Sequence, residues 1–184
     1  MSKITAAITA VGGFVPEYVL SNKELETMVD TNDEWITART GIKERRILKD
    51  KDKGTSFLAI EAAKNLLQKN NTDPKDIDMV IMATATPDMP VAVTGAYVAT
   101  QIGADNAFSY DLMAACSSFL FGMSIAAKYI ESGSYKKVLL VGADKMSSFI
   151  DYTDRTTCII FWDGAGAVLF EPNFEGLGVQ DEYL

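Results

Sequence analysis

Ala107-Phe-Ser-Tyr-Asp-Leu-Met-Ala-Ala-Cys116-Ser-Ser-Phe-Leu-Phe-Gly-Met123 is the stretch that decides the fold. Ala107 to Tyr110 reads as a short buried strand, and from Cys116 to about Glu131 apolar residues recur at helical spacing. Ala114 and Ala115 are small, so the chain can turn sharply between the two. Cys116 therefore stands where a strand ends and a helix begins. Backbone N–H groups at such a helix start are unpaired and carry partial positive charge. They favour a thiolate, which lowers the pKa of a thiol placed there. They can also hold the oxyanion of an acylated sulfur. A small, inert core cysteine would suit the same turn, and the stretch alone leaves both readings open.

Strands and helices alternate on either side of this turn. Lys3 to Val11 predicts a first strand, ended by Gly12-Gly13. Ser21 followed by Glu24 fits a capping box opening a helix through about Val29. Glu34 to Arg39 predicts a short helix that ends near Gly41. Ile42 to Lys53 is strongly charged and reads as a solvated loop, or as a rim that meets phosphate or an acidic partner. Thr55 or Ser56 caps a helix to about Lys69. Ile77 to Thr84 is an unbroken apolar run of the kind buried in parallel sheets. Pro87 and Pro90 hold an irregular loop, and a helix follows from Val91 to Gln101. Lys137 to Ala143 predicts another buried strand. Thr156 to Phe161 and Ala167 to Phe170 predict two more, joined by a tight turn at Asp163-Gly-Ala-Gly166. The alternation implies one α/β layered domain over residues 1–184, with Cys158 in its core.

Composition narrows the chemistry. Hydrophobic residues make up 48% and charged residues 23%, ordinary for a soluble globular domain. There is no run long enough for a membrane span and no signal-peptide core. A net charge of −8 argues against a nucleic-acid surface. Two cysteines without a pattern fit a reducing cytoplasm. Histidine is absent, which excludes Cys–His, Ser–His and His-metal chemistry within this chain.

Trp35 and Arg39 lie four apart and share a helix face. They read as a packed indole beside a surface cation, or as an aromatic plate and cation suited to a nucleotide and its phosphate. Arg155 is a second exposed cation.

Four stretches in order resemble one family, the β-ketoacyl-acyl-carrier-protein synthases III that initiate type II fatty-acid synthesis on a thiolase-like fold. They are Asp30-Thr-Asn-Asp-Glu-Trp-Ile36 with Arg39-Thr-Gly-Ile-Lys-Glu-Arg45; Ala114-Ala-Cys-Ser-Ser-Phe119; Thr153-Asp-Arg155; and Phe161 with Asp163-Gly-Ala-Gly166. The resemblance implies the N-terminal half of that fold, a mixed sheet flanked by helices. It implies that Cys116 takes an acyl group from acyl-CoA, before condensation with malonyl-acyl-carrier protein. Trp35 and Arg155 would sandwich the adenine of coenzyme A, with Thr31 and Arg39 as further contacts. Phe161 and the loop near Met89 would wall the acyl pocket. It further implies a homodimer, coenzyme A thioester as substrate with no permanently bound cofactor, and a second half carrying the catalytic His and Asn beyond Leu184. Without that half, the chain is expected to be inactive for condensation. The alternative is a non-catalytic acyl-CoA-binding or partner-completing half. Trp162 stands where the family has Gly, so an indole is expected to crowd a tight turn.

Overall fold

The computed structural model describes residues 4–183, so Lys3, expected to open the first strand, lies outside the described residues. One sheet dominates, ordered β1 (Thr5–Phe14), β7 (Asp163–Asn173), β6 (Val138–Lys145), β4 (Met79–Ala83), β5 (Phe108–Leu112). β4 runs parallel to both β5 and β6, whereas β7 is antiparallel to β6 and β1. The expected mixed sheet is therefore present.

β4 shows why the central strands are so apolar. All five of its residues are buried, and alternate side chains enter opposite cores. Val80 and Met82 pack with Leu58, Ala62 and Leu66 of helix α3 (Thr55–Asn70) and with Val98 of α4 (Thr94–Ile102). Met79 and Ile81 pack with Ala126, Ala127 and Ile130 of α5 (Ser118–Glu131). A sheet covered on both faces needs no polar alternation.

β1 does not stop at Gly12-Gly13 but continues to Phe14. The glycine serves helix packing instead. A Cβ on Gly12 would lie 2.6 Å from the Ala62 carbonyl oxygen and 2.6 Å from the Leu66 nitrogen of α3. Backbone cannot yield as a flexible side chain would. Gly12→Ala is expected to lower stability by about 3 kcal/mol, read as a shift in urea midpoint.

A small third core joins a two-stranded ribbon to two short helices. β2 (Tyr18–Ser21) pairs antiparallel with β3 (Glu44–Ile47), and α1 (Asn22–Leu25) and α2 (Asp33–Thr40) flank it. Here several expectations are corrected. The charged stretch 42–53 is not one solvated loop, because its middle is β3, and Arg45 there is 1% exposed. The helix expected through Val29 stops at Leu25. Ser21 does accept from the Glu24 amide at 3.1 Å, but the Glu24 carboxylate accepts from the Tyr18 hydroxyl instead of closing the capping box. α2 behaves as expected, capped by Asn32 and ended by Gly41 in the left-handed region at φ 71°.

Further boundaries differ: α4 starts at Thr94 and not Val91, and β5 runs Phe108–Leu112 as a strand with no fully buried residue. Gly54, not Thr55 or Ser56, precedes α3, and the Asp88 carboxylate accepts from the Ser56 amide at 3.2 Å. Residues 156–161 form no strand. Asp151 and Asp154 accept from the Thr153 and Thr156 amides at 2.8 and 2.9 Å, fixing successive turns. Asp163-Gly-Ala-Gly166 is not a hairpin turn but the opening of β7, in register with Gly142–Lys145 of β6.

Candidate active site

The parallel strands β4, β5 and β6 end at one side of the sheet, where open α/β sheets bind ligands. After β5 the chain makes a single 3-10 turn, Ala115–Ser117, and enters α5 at Ser118. Helix geometry thus begins two residues later than expected, and Cys116 sits in the turn itself. Ala115 has φ 49°, a left-handed conformation that costs an L-residue with a Cβ about 1–2 kcal/mol. The turn is tied by its own groups. The Ala114 amide donates to Ser118 Oγ at 2.6 Å, and the Ser117 amide donates to the Ala114 carbonyl at 3.1 Å. Cys116 is exposed by this arrangement, whereas Cys158 is buried. The inert-core reading therefore holds for Cys158 and not for Cys116. Burial also pushes the Cys158 thiol pKa up.

Cys116 opens into a cleft of about 550 Å³. Ala83 and Asp144, from the ends of β4 and β6, line it, with Phe119 of α5, Phe161, Trp162 and Gly164 to Gly166 of β7. A Cβ on Gly166 would meet no atom within 4 Å, so glycine here leaves the cleft floor open and does not make a close approach.

Two carboxylates that sequence reasoning passed over hold these walls. Asp144 Oδ1 accepts from the Ala85 amide at 2.8 Å, the Thr86 amide at 3.1 Å, and the Thr84 and Thr86 hydroxyls at 3.0 Å. It fixes the turn that leaves β4. Asp163 is fully buried and accepts from the Leu48 amide at 2.8 Å, the Ser147 amide at 2.8 Å and the Ser147 hydroxyl at 2.7 Å. The sequence signal for Asp144 is only an acidic residue near the end of an apolar strand, whereas Asp163 belongs to the quoted Asp163-Gly-Ala-Gly166 motif without a role being read for it.

The expected nucleotide residues come together on α2 and on the 151–160 turns. Arg39 lies 4.2 Å and Arg155 5.2 Å from the Trp35 ring centroid. Arg155 Nη1 donates to the Asp30 carbonyl at 2.9 Å and faces the Asp30 carboxylate at 3.5 Å. A ring seated between Trp35 and Arg155 needs about 7 Å, two contact distances, so Arg155 has to swing outward to admit one. Thr31 Oγ1, one residue before the cap of α2, is buried without a hydrogen-bond partner among the described residues.

The two expected pocket-wall residues separate. Phe161 lines the Cys116 cleft. Met89, 59% exposed, lines another cleft of about 740 Å³ between α3 and α4, because the Pro87–Pro90 loop turns toward the start of α3, where Asp88 is held.

Trp162 does not occupy a tight turn. Its φ is not positive and it is 47% exposed. It lines both the Cys116 cleft and a smaller one of about 310 Å³ beside Gly41, Lys43 and Arg46. Trp162→Gly relieves no strain. It is expected to lower stability by about 0.5–1 kcal/mol through unfolded-chain entropy, and a rise in melting temperature would contradict this.

A mixed sheet between helices, with a cysteine at the turn from the edge strand into a covering helix, defines a thiolase-like half-fold. Over its length the chain is similar to the N-terminal half of β-ketoacyl-acyl-carrier-protein synthases III. Residues 110–182 match the family described as 3-oxoacyl-acyl-carrier-protein synthase III. The chain is 54% identical over its full length to β-ketoacyl-acyl-carrier-protein synthase III 2 of Bacteroides thetaiotaomicron, covering 55% of that protein. It is 56% identical to the synthase III of Chlorobium chlorochromatii over 97% of this chain and 55% of the relative. The crystal structure of the Aquifex aeolicus synthase III superposes with a TM-score of 0.87 at 44% identity, over 90% of this chain and 53% of that one. The chain thus spans about half the length of the relatives it matches.

Proposed function

We propose that this chain is the acyl-loading half of a β-ketoacyl-acyl-carrier-protein synthase III and takes an acyl group from acyl-CoA onto Cys116. The observation that carries the reading is the exposed Cys116, on a strained turn before α5, facing a cleft floored by glycines. In the reaction Cys116 Sγ, as thiolate, attacks the thioester carbonyl. The new S–C bond forms, and the bond to the coenzyme A sulfur breaks. The departing sulfur takes up a proton equivalent to the one Cys116 gave to solvent. Amides at the start of α5 would stabilise the tetrahedral oxyanion. Trp35, Arg39, Arg155 and Thr31 would grip the adenine and phosphates. Phe161 would contact the acyl group, with Met89 reaching a pocket only through further assembly. Coenzyme A thioester is a substrate in this scheme, and no permanent cofactor is needed.

Condensation with malonyl-acyl-carrier protein is the second step, assigned to the complete enzyme of fatty-acid initiation. This chain contains no histidine to serve it, and it spans about half the length of the relatives it matches. The same fact favours the alternative of a partner-completing half. Homodimer formation is part of the proposal. Among the described residues β5 is an edge strand with an unpaired side, and Phe108 in it and Met113 just after it are 53% and 64% exposed; such an edge suits pairing with a second copy. Among the described residues no helix is long and apolar enough to cross a membrane, and we place the reaction in the cytoplasm on the chemistry of its substrates.

Coenzyme A binding tests the grip. A cation stacked on an aromatic plate contributes about 0.5–2 kcal/mol, so Trp35→Ala or Arg155→Ala should weaken affinity by about threefold to thirtyfold. Calorimetry showing unchanged affinity in both variants would reject the assignment.

A further inference from the structure

Arg45 is the largest side chain that the fold buries completely. Alternation along β3 turns it inward between two more exposed charged neighbours. All its hydrogen-bond partners are neutral. Nε donates to the Ile159 carbonyl at 2.9 Å, Nη2 donates to the same oxygen, and Nη1 donates to Asn22 Oδ1. Asn22, itself 2% exposed, passes the link on, donating from Nδ2 to Asp33 Oδ1 at 2.7 Å and to the Ile42 carbonyl at 2.8 Å. Asp33 opens α2, two residues before Trp35. Ile159 ends the turns that carry Arg155 and leads into Ile160, Phe161 and Trp162 at the Cys116 cleft.

A buried cation without a counter-ion is strongly disfavoured, and well-packed apolar residues often replace buried charges without loss. What an apolar residue cannot supply is the rigid fork of donors that fixes two chain segments at set angles. From this relay we propose that Arg45 is a positioning residue for the acyl-CoA site. It holds residues 151–160 against α2, so that Arg155 faces Trp35 and the following residues wall the Cys116 cleft. The proposal rests on the reading that Trp35 and Arg155 grip coenzyme A.

Cys158, fully buried beside Ile159 in the same small core, is a built-in reporter. The 184-residue chain, Arg45→Met, Arg155→Ala and the double variant can be compared in two ways: alkylation of Cys158 by peptide mass mapping, and calorimetric titration with coenzyme A. Arg45→Met is expected to speed Cys158 alkylation by at least about tenfold while amide exchange in β4 and β6 stays unchanged, because only the local unit opens. It should weaken coenzyme A binding by about tenfold, and the double variant should bind no more weakly than the weaker single, since Arg45 acts through Arg155. A merely stabilising residue would give additive losses. Additive losses, or Cys158 alkylation at the unsubstituted rate, would overturn the proposal. Absence of coenzyme A binding in the unsubstituted chain would instead reject the reading of the site, and Cys158 alkylation would still decide whether Arg45 holds the segment. Should Arg45→Met fail to fold, Arg45→Lys keeps the charge without the fork. It is expected to shift both readouts in the same direction, and behaviour identical to the unsubstituted chain would overturn the proposal.

Discussion

Given acetyl-CoA and malonyl-acyl-carrier protein, the 184-residue chain is expected to release no β-ketoacyl product above background. Loss of carbon dioxide from the malonyl thioester develops an enolate, whose charge needs preorganised donors aimed at the carbonyl oxygen. Removing one such donor typically slows a reaction by about 10²–10³. The chain contains no histidine, and in the proposed scheme the free amides at the start of α5 serve the acyl group on Cys116. Losing a donor set and not a single donor should place turnover below detection. A second polypeptide bearing the His and Asn that the family resemblance implies, added in trans, should restore product, and Trp162 should not obstruct it, since the indole is half-exposed beside the Cys116 cleft. Robust product from this chain alone would contradict the assignment.

The next largest effect is the contrast between the two cysteines. Iodoacetamide should label Cys116 at least about 10²-fold faster than Cys158. Cys116 is open to solvent, whereas Cys158 reacts only after local opening of residues 151–160. Burial also raises the Cys158 thiol pKa, which reduces its thiolate fraction at neutral pH. Peptide mass mapping ranks the two directly, and equal or reversed rates would remove the nucleophile assignment. Cys116→Ala should abolish acyl uptake yet change stability by less than about 1 kcal/mol, because the side chain buries little.

The layered core was legible because its signals are local. Apolar runs of β4 and β6 and the helical spacing of α3 and α5 name their own structure. The strand-to-helix turn at Cys116 was legible for the same reason, as was the shared face of Trp35 and Arg39. The failures are of two kinds, long-range pairing and local side-chain turns. β3 looks like a solvated loop because three of its four residues are charged, and only the pairing with β2 and the Ile159 carbonyl, 114 residues away, explain a buried Arg45. Residues 156–161 carry strand-like side chains, but Asp151 and Asp154 wind the segment into turns. The glycines at 164 and 166 suggested a hairpin, whereas they lie in a strand whose side-chain space is the cleft. Asp144 gave almost no warning, and Asp163 showed only as part of a motif, since the partners of both come from other turns.

The most direct test of the central claim is peptide mass mapping of this chain after incubation with acetyl-CoA. An acetyl group on the peptide carrying Cys116, absent from the Cys158 peptide and lost in Cys116→Ala, is the predicted result. A chain that binds coenzyme A but carries no acetyl group on Cys116, or carries it equally on Cys158, would contradict the account.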